Sequence, residues 1–254
     1  MPTVAEIART FDEYYPFTDA CSYDNVGLLV GREGKEVAKV LIALDVTAEV
    51  VREASSVGAD LIISHHPVIF REIKRVSDAS YTGRVLLDLI ESGLAVISLH
   101  TNYDRGEAGN NDALALTLGA RTYTKTEDGF ATEFDLPKPI PFAVFASQVR
   151  SALGDAAIRM IDCGEVSRVI ASCGAGIDES LILRAKERGA VIVTADVKHN
   201  YAVMARDLSV GLVEVTHYAS EWGFTREISK FMAEHFDDVE CCVSNRNINP
   251  YDAS

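Results

Sequence analysis

The chain has 254 residues, 48% of them hydrophobic and 24% charged, the balance of an ordinary globular protein long enough for two domains or for one with an insertion. A formal net charge of −14, from 38 acidic and 24 basic residues, repels phosphate backbones and weighs against a nucleic-acid-binding module. No apolar run reaches the roughly 18 residues of a membrane span, and Met1 to Thr10, with Glu6 and Arg9, has no signal-peptide core, so a soluble, cytoplasmic chain with no membrane role is expected.

Apolar residues at helical spacing (Val4, Ile7, Ala8, Phe11) predict a helix over 3–14, with Thr3 and Glu6 in the capping-box arrangement. Tyr23 to Gly31 reads as a turn and a short buried strand, and Val37 to Leu44 as a strand ending in Asp45. A helix over 47–57 closes at Gly58, and Asp60 to Ser64 is a strand that delivers His65-His66-Pro67. A helix over 83–92, closed by Gly93, leads to a strand over 94–99 and then to His100-Thr101-Asn102-Tyr103-Asp104. Gly109 starts a short helix running to Leu118.

Composition shifts near Thr122: Thr122 to Pro141 holds three prolines and only short strand-like runs. A helix over 142–153, a strand over 157–161, the segment Val166 to Cys173 with no element assigned, and a helix over 178–188 capped by Gly189 follow. The buried-strand pattern resumes at 190–194, leading to Ala195-Asp196-Val197-Lys198-His199, and again at 210–216, ending at His217. A long helix over 220–234 and a strand over 239–243 complete the elements, with a polar tail over 244–254. His235 lies on a charged helix and is expected to be solvated. Strands alternating with helices of about ten residues predict a layered α/β fold around a largely parallel sheet. The expected division is a metal-site α/β domain over 1–122 and 190–254, with a smaller α/β domain over 123–189 inserted in its middle. Five cysteines with no CxxC spacing, two of them adjacent (Cys241 and Cys242), predict reduced, buried thiols rather than disulfides or a thiolate metal site.

The chemistry concentrates at strand ends. Neighbouring strand residues point to opposite faces, but beyond the strand, where Ser64 and Pro67 turn the backbone, His65 and His66 can diverge toward two ions. His100 with Asp104, and His217 with Glu221, likewise follow predicted strands, and α/β sheets bind ligands at the carboxyl ends of their strands. The His217–Glu221 spacing of i and i+4 places both groups on one helix face. That spacing alone is common; its coincidence with the other two clusters is what points to a metal site. The imidazoles and two carboxylates are too many for one open tetrahedral ion and suit two divalent ions, whether Zn, Mn, Fe, Co or Ni.

The segments His65–Phe70, His100–Asp104 and Thr216–Glu221, with Asp24-Asn25-Val26-Gly27-Leu28 and Gly174-Ala175-Gly176, resemble the signature of the Nif-three-like family of dinuclear metal-centre proteins, homologues of GTP cyclohydrolase I type 2. The resemblance covers nearly the whole chain. It implies His65, His66, Asp104, His217 and Glu221 as metal ligands, Glu221 as their bridge, and His100 beside the ions as a proton carrier. It also implies two intertwined α/β domains and a homohexamer, a trimer of dimers shaped as a toroid. One motif departs: where the family shows Thr-Gly-Asp and then Tyr-His, this chain reads Thr194-Ala195-Asp196-Val197-Lys198-His199, so no role is carried onto His199. Asp24, Asn25 and Asp45 can face the site or serve as turn residues.

Two bridged ions favour hydrolysis by an activated water, so the expected function is a dinuclear metal-dependent hydrolase; the resemblance implies a cyclohydrolase-like enzyme acting on a purine nucleotide as its small-molecule partner. The alternative of another class is a non-catalytic metal-binding or scaffold ring. No P-loop or dinucleotide glycine fingerprint is present, so a nucleotide would be held by metals and side chains.

Overall fold

The computed structural model describes residues 1–155 and 158–251. Its elements, in chain order, begin with α1 (Val4–Tyr14), β1 (Gly27–Val30), β2 (Lys39–Ala43), α2 (Ala48–Val57), β3 (Leu61–Ser64), α3 (Tyr81–Glu91), β4 (Ala95–Ser98) and α4 (Thr101–Arg105). Next come α5 (Asn110–Thr117), β5 (Thr124–Lys125), β6 (Thr132–Pro141), α6 (Phe142–Leu153), β7 (Arg159–Ile161), β8 (Glu165–Ala171) and α7 (Glu179–Arg188). The chain continues through β9 (Val191–Thr194), α8 (His199–Asp207), β10 (Leu212–Glu214), α9 (His217–Glu221), α10 (Gly223–His235) and β11 (Glu240–Val243).

The helix ends follow local chemistry. Thr3 and Glu6 form the reciprocal capping box of α1, with the Glu6 carboxylate accepting from the Thr3 backbone N–H at 2.7 Å. Thr47 caps α2 and Asp178 caps α7, each side-chain oxygen accepting from a backbone N–H of the first turn. Ser80 caps α3, which therefore starts two residues before the expected position.

The chain divides into two compact units, each assembled from separate stretches of sequence: Met1–Gly106 with Phe224–Ile248, and Glu107–Gly223 joined by the chain from Asn249 onward. In the first unit the sheet order is β1-β4-β3-β2-β11, parallel except for β1 against β4. All four residues of β3 and of β4 are buried, the continuous apolar run of a sheet covered on both faces. One face packs Leu41, Ile62 and Val96 under Val50, Val51 and Ala54 of α2 and Val85, Leu86 and Leu89 of α3. Phe11 of α1 stacks on Phe231 of α10 at 4.6 Å between ring centres.

In the second unit the order is β5-β6-β8-β9-β10-β7, with β8, β9 and β10 parallel. Alternate residues serve opposite faces. Val169, Val191 and Val213 pack with Phe142, Phe145 and Val149 of α6, while Ile170, Ile192 and Leu212 pack with Ile182 and Ala185 of α7 and Ala205 of α8.

This architecture confirms an α/β fold with a mostly parallel first sheet. The division of residues differs from the expected boundaries at 123 and 189: β9 and β10, expected in the first sheet, pair beside β8, and the second unit begins at Glu107. Buried parallel strands carry the same apolar signature whichever sheet they join. The stretch expected to hold only short strand-like runs contains the ten-residue β6. Its pairing with two-residue β5 ends at Glu133, and its register with β8 shifts between Asp135 and Ile140, so Pro137 and Pro139 lie where no neighbouring strand needs their missing N–H. The helix expected over 220–234 is two helices, α9 and α10, separated at Trp222. Helix α8 was not expected. Ala157, where a strand was expected to begin, lies outside the described residues, as do the last three residues of the tail; the strand there runs over Arg159–Ile161. His235 is half-buried rather than solvated, stacked on Phe231 at 4.1 Å.

Candidate metal centre

In the first unit, β3 ends at Ser64, but its ladder contacts continue: His65 N–H donates to Ala43 O at 3.3 Å and His66 N–H to Leu44 O at 2.8 Å. The Ser64 hydroxyl donates to His66 O at 3.0 Å and lies 2.8 Å from Ser98 Oγ, which fixes the turn. His65 is fully buried and His66 half-buried, with ring centres 4.9 Å apart. At the end of β4, His100 precedes α4, and its carbonyl accepts from the N–H groups of Tyr103 and Asp104 at 2.9 Å. Asn102 pins this turn by accepting from His100 N–H at 3.0 Å and donating to Tyr15 O at 2.8 Å. A donor atom of each of His65, His66 and His100 lies within 4.8 Å of the others, and Asp104 Oδ1 lies 3.6 Å from His65 Nε2.

In the second unit, α9 carries His217 and Glu221 on one face, with Nε2 and Oε2 3.0 Å apart and Glu221 only 3% exposed. Thr216 caps this short helix and is held by Asp155, which accepts from Thr216 N–H at 2.6 Å. Gly174 has φ +56 and lies against the pair: a Cβ there would stand 2.4 Å from Glu221 Oε1 and 3.2 Å from His217 Nε2.

All four histidines share one arrangement. His65 Nδ1 lies 2.7 Å from Leu99 O, His66 Nδ1 2.8 Å from Asp45 Oδ1, His100 Nδ1 2.9 Å from Asp24 Oδ1, and His217 Nδ1 2.7 Å from Asp196 Oδ2. A carbonyl or an ionised carboxylate can only accept, so each Nδ1 donates to its partner and Nε2 is the ring atom left to face a metal. This is the outer hydrogen bond that orients metal-ligating imidazoles. The donors therefore fit divalent metal: His65, His66, His100, His217 and Glu221 could all bind it, through nitrogen and oxygen atoms suited to first-row ions.

Burial pushes the Asp24 carboxyl up, but hydrogen bonds from His100 and Thr101 outweigh it and hold the group at about 2. Asp24 is thus an anion at neutral pH, positioned to stabilise a protonated His100. Asp196 adopts φ +49, a left-handed conformation that Asp tolerates better than most side chains, and this turns its carboxylate toward His217.

Within their units, the structure brings His65, His66, His100 and Asp104 together, and pairs His217 with Glu221. His100, expected beside the ligands, stands among the possible ligands. His199 opens α8 at the exposed surface. Sequence reasoning left open whether Asp24 and Asp45 serve the site, and it assigned Asp196 nothing. The signal for Asp196 was available, since it follows β9 as the histidines follow their own strands.

Residues 2–250 match the profile of Duf34/NIF3 (NGG1p interacting factor 3). The chain is 30% identical to a Clostridium perfringens protein named GTP cyclohydrolase 1 type 2 homolog, across 97% of this chain and 98% of that one. It is also 30% identical to a Helicobacter pylori protein named GTP cyclohydrolase 1 type 2, across 91% and 92%. Its fold matches a Staphylococcus aureus hypothetical protein with a TM-score of 0.91 at 27% identity, covering 98% of each chain, and a Bacillus cereus protein related to NIF3 at 0.88, 22% and 99% of each. With the profile spanning nearly every residue and full-length relatives of the same fold, the chain belongs to the Duf34/NIF3 family.

Proposed function

We propose that this protein is a dinuclear metal-dependent hydrolase, cyclohydrolase-like, acting on a purine nucleotide. His65, His66, Asp104, His217 and Glu221 would hold the ions, with Glu221 as the proposed bridge. The observation that carries the reading is the set of four imidazoles whose Nδ1 protons are each committed to an acceptor. Divalent ions bound there would acidify a water and so supply a nucleophile near neutral pH. His100, held by ionised Asp24, accepts a proton from the reacting groups and returns it. The relatives named GTP cyclohydrolase 1 type 2 support a purine nucleotide as substrate.

The reading includes a cytoplasmic homohexamer, a trimer of dimers, to be checked by light scattering. None of the described helices is long and apolar enough to cross a membrane. The deciding experiment is elemental analysis beside a nucleotide-hydrolysis panel with and without chelator. Two ions per chain with chelator-sensitive turnover is the expected result. Two ions without turnover would transfer the site to a non-catalytic metal-binding ring, and no metal after reconstitution would overturn the assignment from His65 onward.

A further inference from the structure

A second charged cluster lies in the second unit, and none of the metal-donor residues lines it. Glu133 and Asp135, two apart on β6, share one face of the sheet; Arg168 of β8 is the direct cross-strand partner of Asp135. Arg184 and Arg188, four apart on α7, reach over the same face. Glu133 is only 7% exposed, and its two oxygens are fully engaged: Arg188 Nε donates to Oε1 at 2.7 Å and Arg184 to Oε2 at 3.2 Å, with Arg168 Nε 3.5 Å from Oε1. Arg168 also makes two parallel bonds to Asp135, at 2.6 and 3.1 Å.

Neutralising one buried carboxylate does not require three guanidinium groups. Three cations against two anions leave a positive excess in a chain of net charge −14. These five residues line a cavity of about 210 Å³ with Thr122, Tyr123 and Thr124. Thr124 is the cross-strand partner of Glu133. The cavity falls below the roughly 300 Å³ at which small-molecule pockets begin, so it suits a compact group rather than a whole nucleotide.

We propose that this cavity binds a phosphate-class oxyanion between Arg168, Arg184 and Arg188. Planar guanidinium groups with spare N–H donors recognise tetrahedral oxyanions by paired hydrogen bonds, which ammonium groups do not. The site is independent of the hydrolase reading and stands if that reading fails.

The test titrates inorganic phosphate into the zinc-loaded protein at ionic strength fixed with sodium chloride, following the Nε–Hε NMR signals of Arg184 and Arg188. Saturable shifts of both signals are expected, absent with chloride alone. In R188Q the loss of a charge-assisted bond weakens binding by about tenfold or more. Guanosine monophosphate in a parallel arm identifies the source: matching shifts show a phosphomonoester taken as part of a larger ligand, and silence shows free phosphate. Arginine signals unmoved by either, or an unchanged phosphate affinity in folded R188Q, would overturn the site. If R188Q does not fold, the wild-type signals still decide.

Discussion

Replacing Gly174 by alanine tests whether Glu221 and His217 hold metal, because two costs can be separated. The first is backbone strain: at φ +56 an L side chain costs about 1–2 kcal/mol. The second is contact. The new Cβ would lie 2.4 Å from Glu221 Oε1, against at least 3.4 Å for ordinary contact, so the carboxylate must retreat by about 1 Å. Metal–ligand distances tolerate about 0.2 Å, so such a retreat removes Glu221 as a ligand. Gly189 is the control, since it has φ +61 and a Cβ added there would meet nothing within 4 Å, so G189A should show the strain alone. At about 2–4 °C per kcal/mol for a chain of this size, each variant should lose roughly 2–8 °C in Tm. Only G174A should lose metal, measured as ions per chain by elemental analysis after reconstitution. Equal metal content in G174A, G189A and the unaltered protein would refute the assignment of Glu221.

Glu221→Gln keeps the shape of the side chain and should reduce the metal content to one ion or none while leaving the circular dichroism unchanged; two ions in that variant would remove Glu221 as the shared ligand. Asp24→Asn deprives His100 Nδ1 and Thr101 of an anionic acceptor, and steady-state kinetics with metal titration should show a loss of about 10–100-fold in activity or metal affinity. Asp60 provides the pH test. Burial pushes its carboxyl up, but bonds from Ala38, Lys35 and Lys39 prevail and hold it below the ordinary 3.8. A group depressed in the folded state stabilises above its unfolded pKa and ceases to do so as pH falls through the folded one. Urea unfolding between pH 6 and 2 should therefore show a shallower acid loss in Asp60→Asn than in the unaltered chain, and parallel curves would show that Asp60 contributes nothing.

The legible parts of the sequence were those whose cause is local. Capping residues and closing glycines marked α1, α2 and α7, and short apolar runs marked β2, β3, β4 and β9, because each signal lies within a few residues of its effect. Ligand-type residues following strands were legible for the same reason. Sheet membership was not, since β9 and β10 are buried throughout and nothing local distinguishes one buried parallel sheet from another. Strand β6 was obscured by its prolines, which are tolerated only because its edge is open beyond Glu133. The partners of the imidazoles were the least legible. Asp24 reaches His100 across 76 positions and Asp45 reaches His66 across 21, and such pairings exist only once the sheet has formed.

Asn247 ties a distant stretch of sequence to the metal-donor cluster. Its amide oxygen accepts from the backbone N–H groups of Leu44 and Asp45, and its amide nitrogen donates to Asp45 Oδ2 at 3.1 Å. Asp45 is the group that orients His66. Strand β11, the neighbour of β2, comes from the same distant stretch. His66 is therefore oriented through a contact between residues that lie 202 positions apart in sequence. A substitution at Asn247, which bears no ligand atom, would loosen Asp45 and through it the ring of His66.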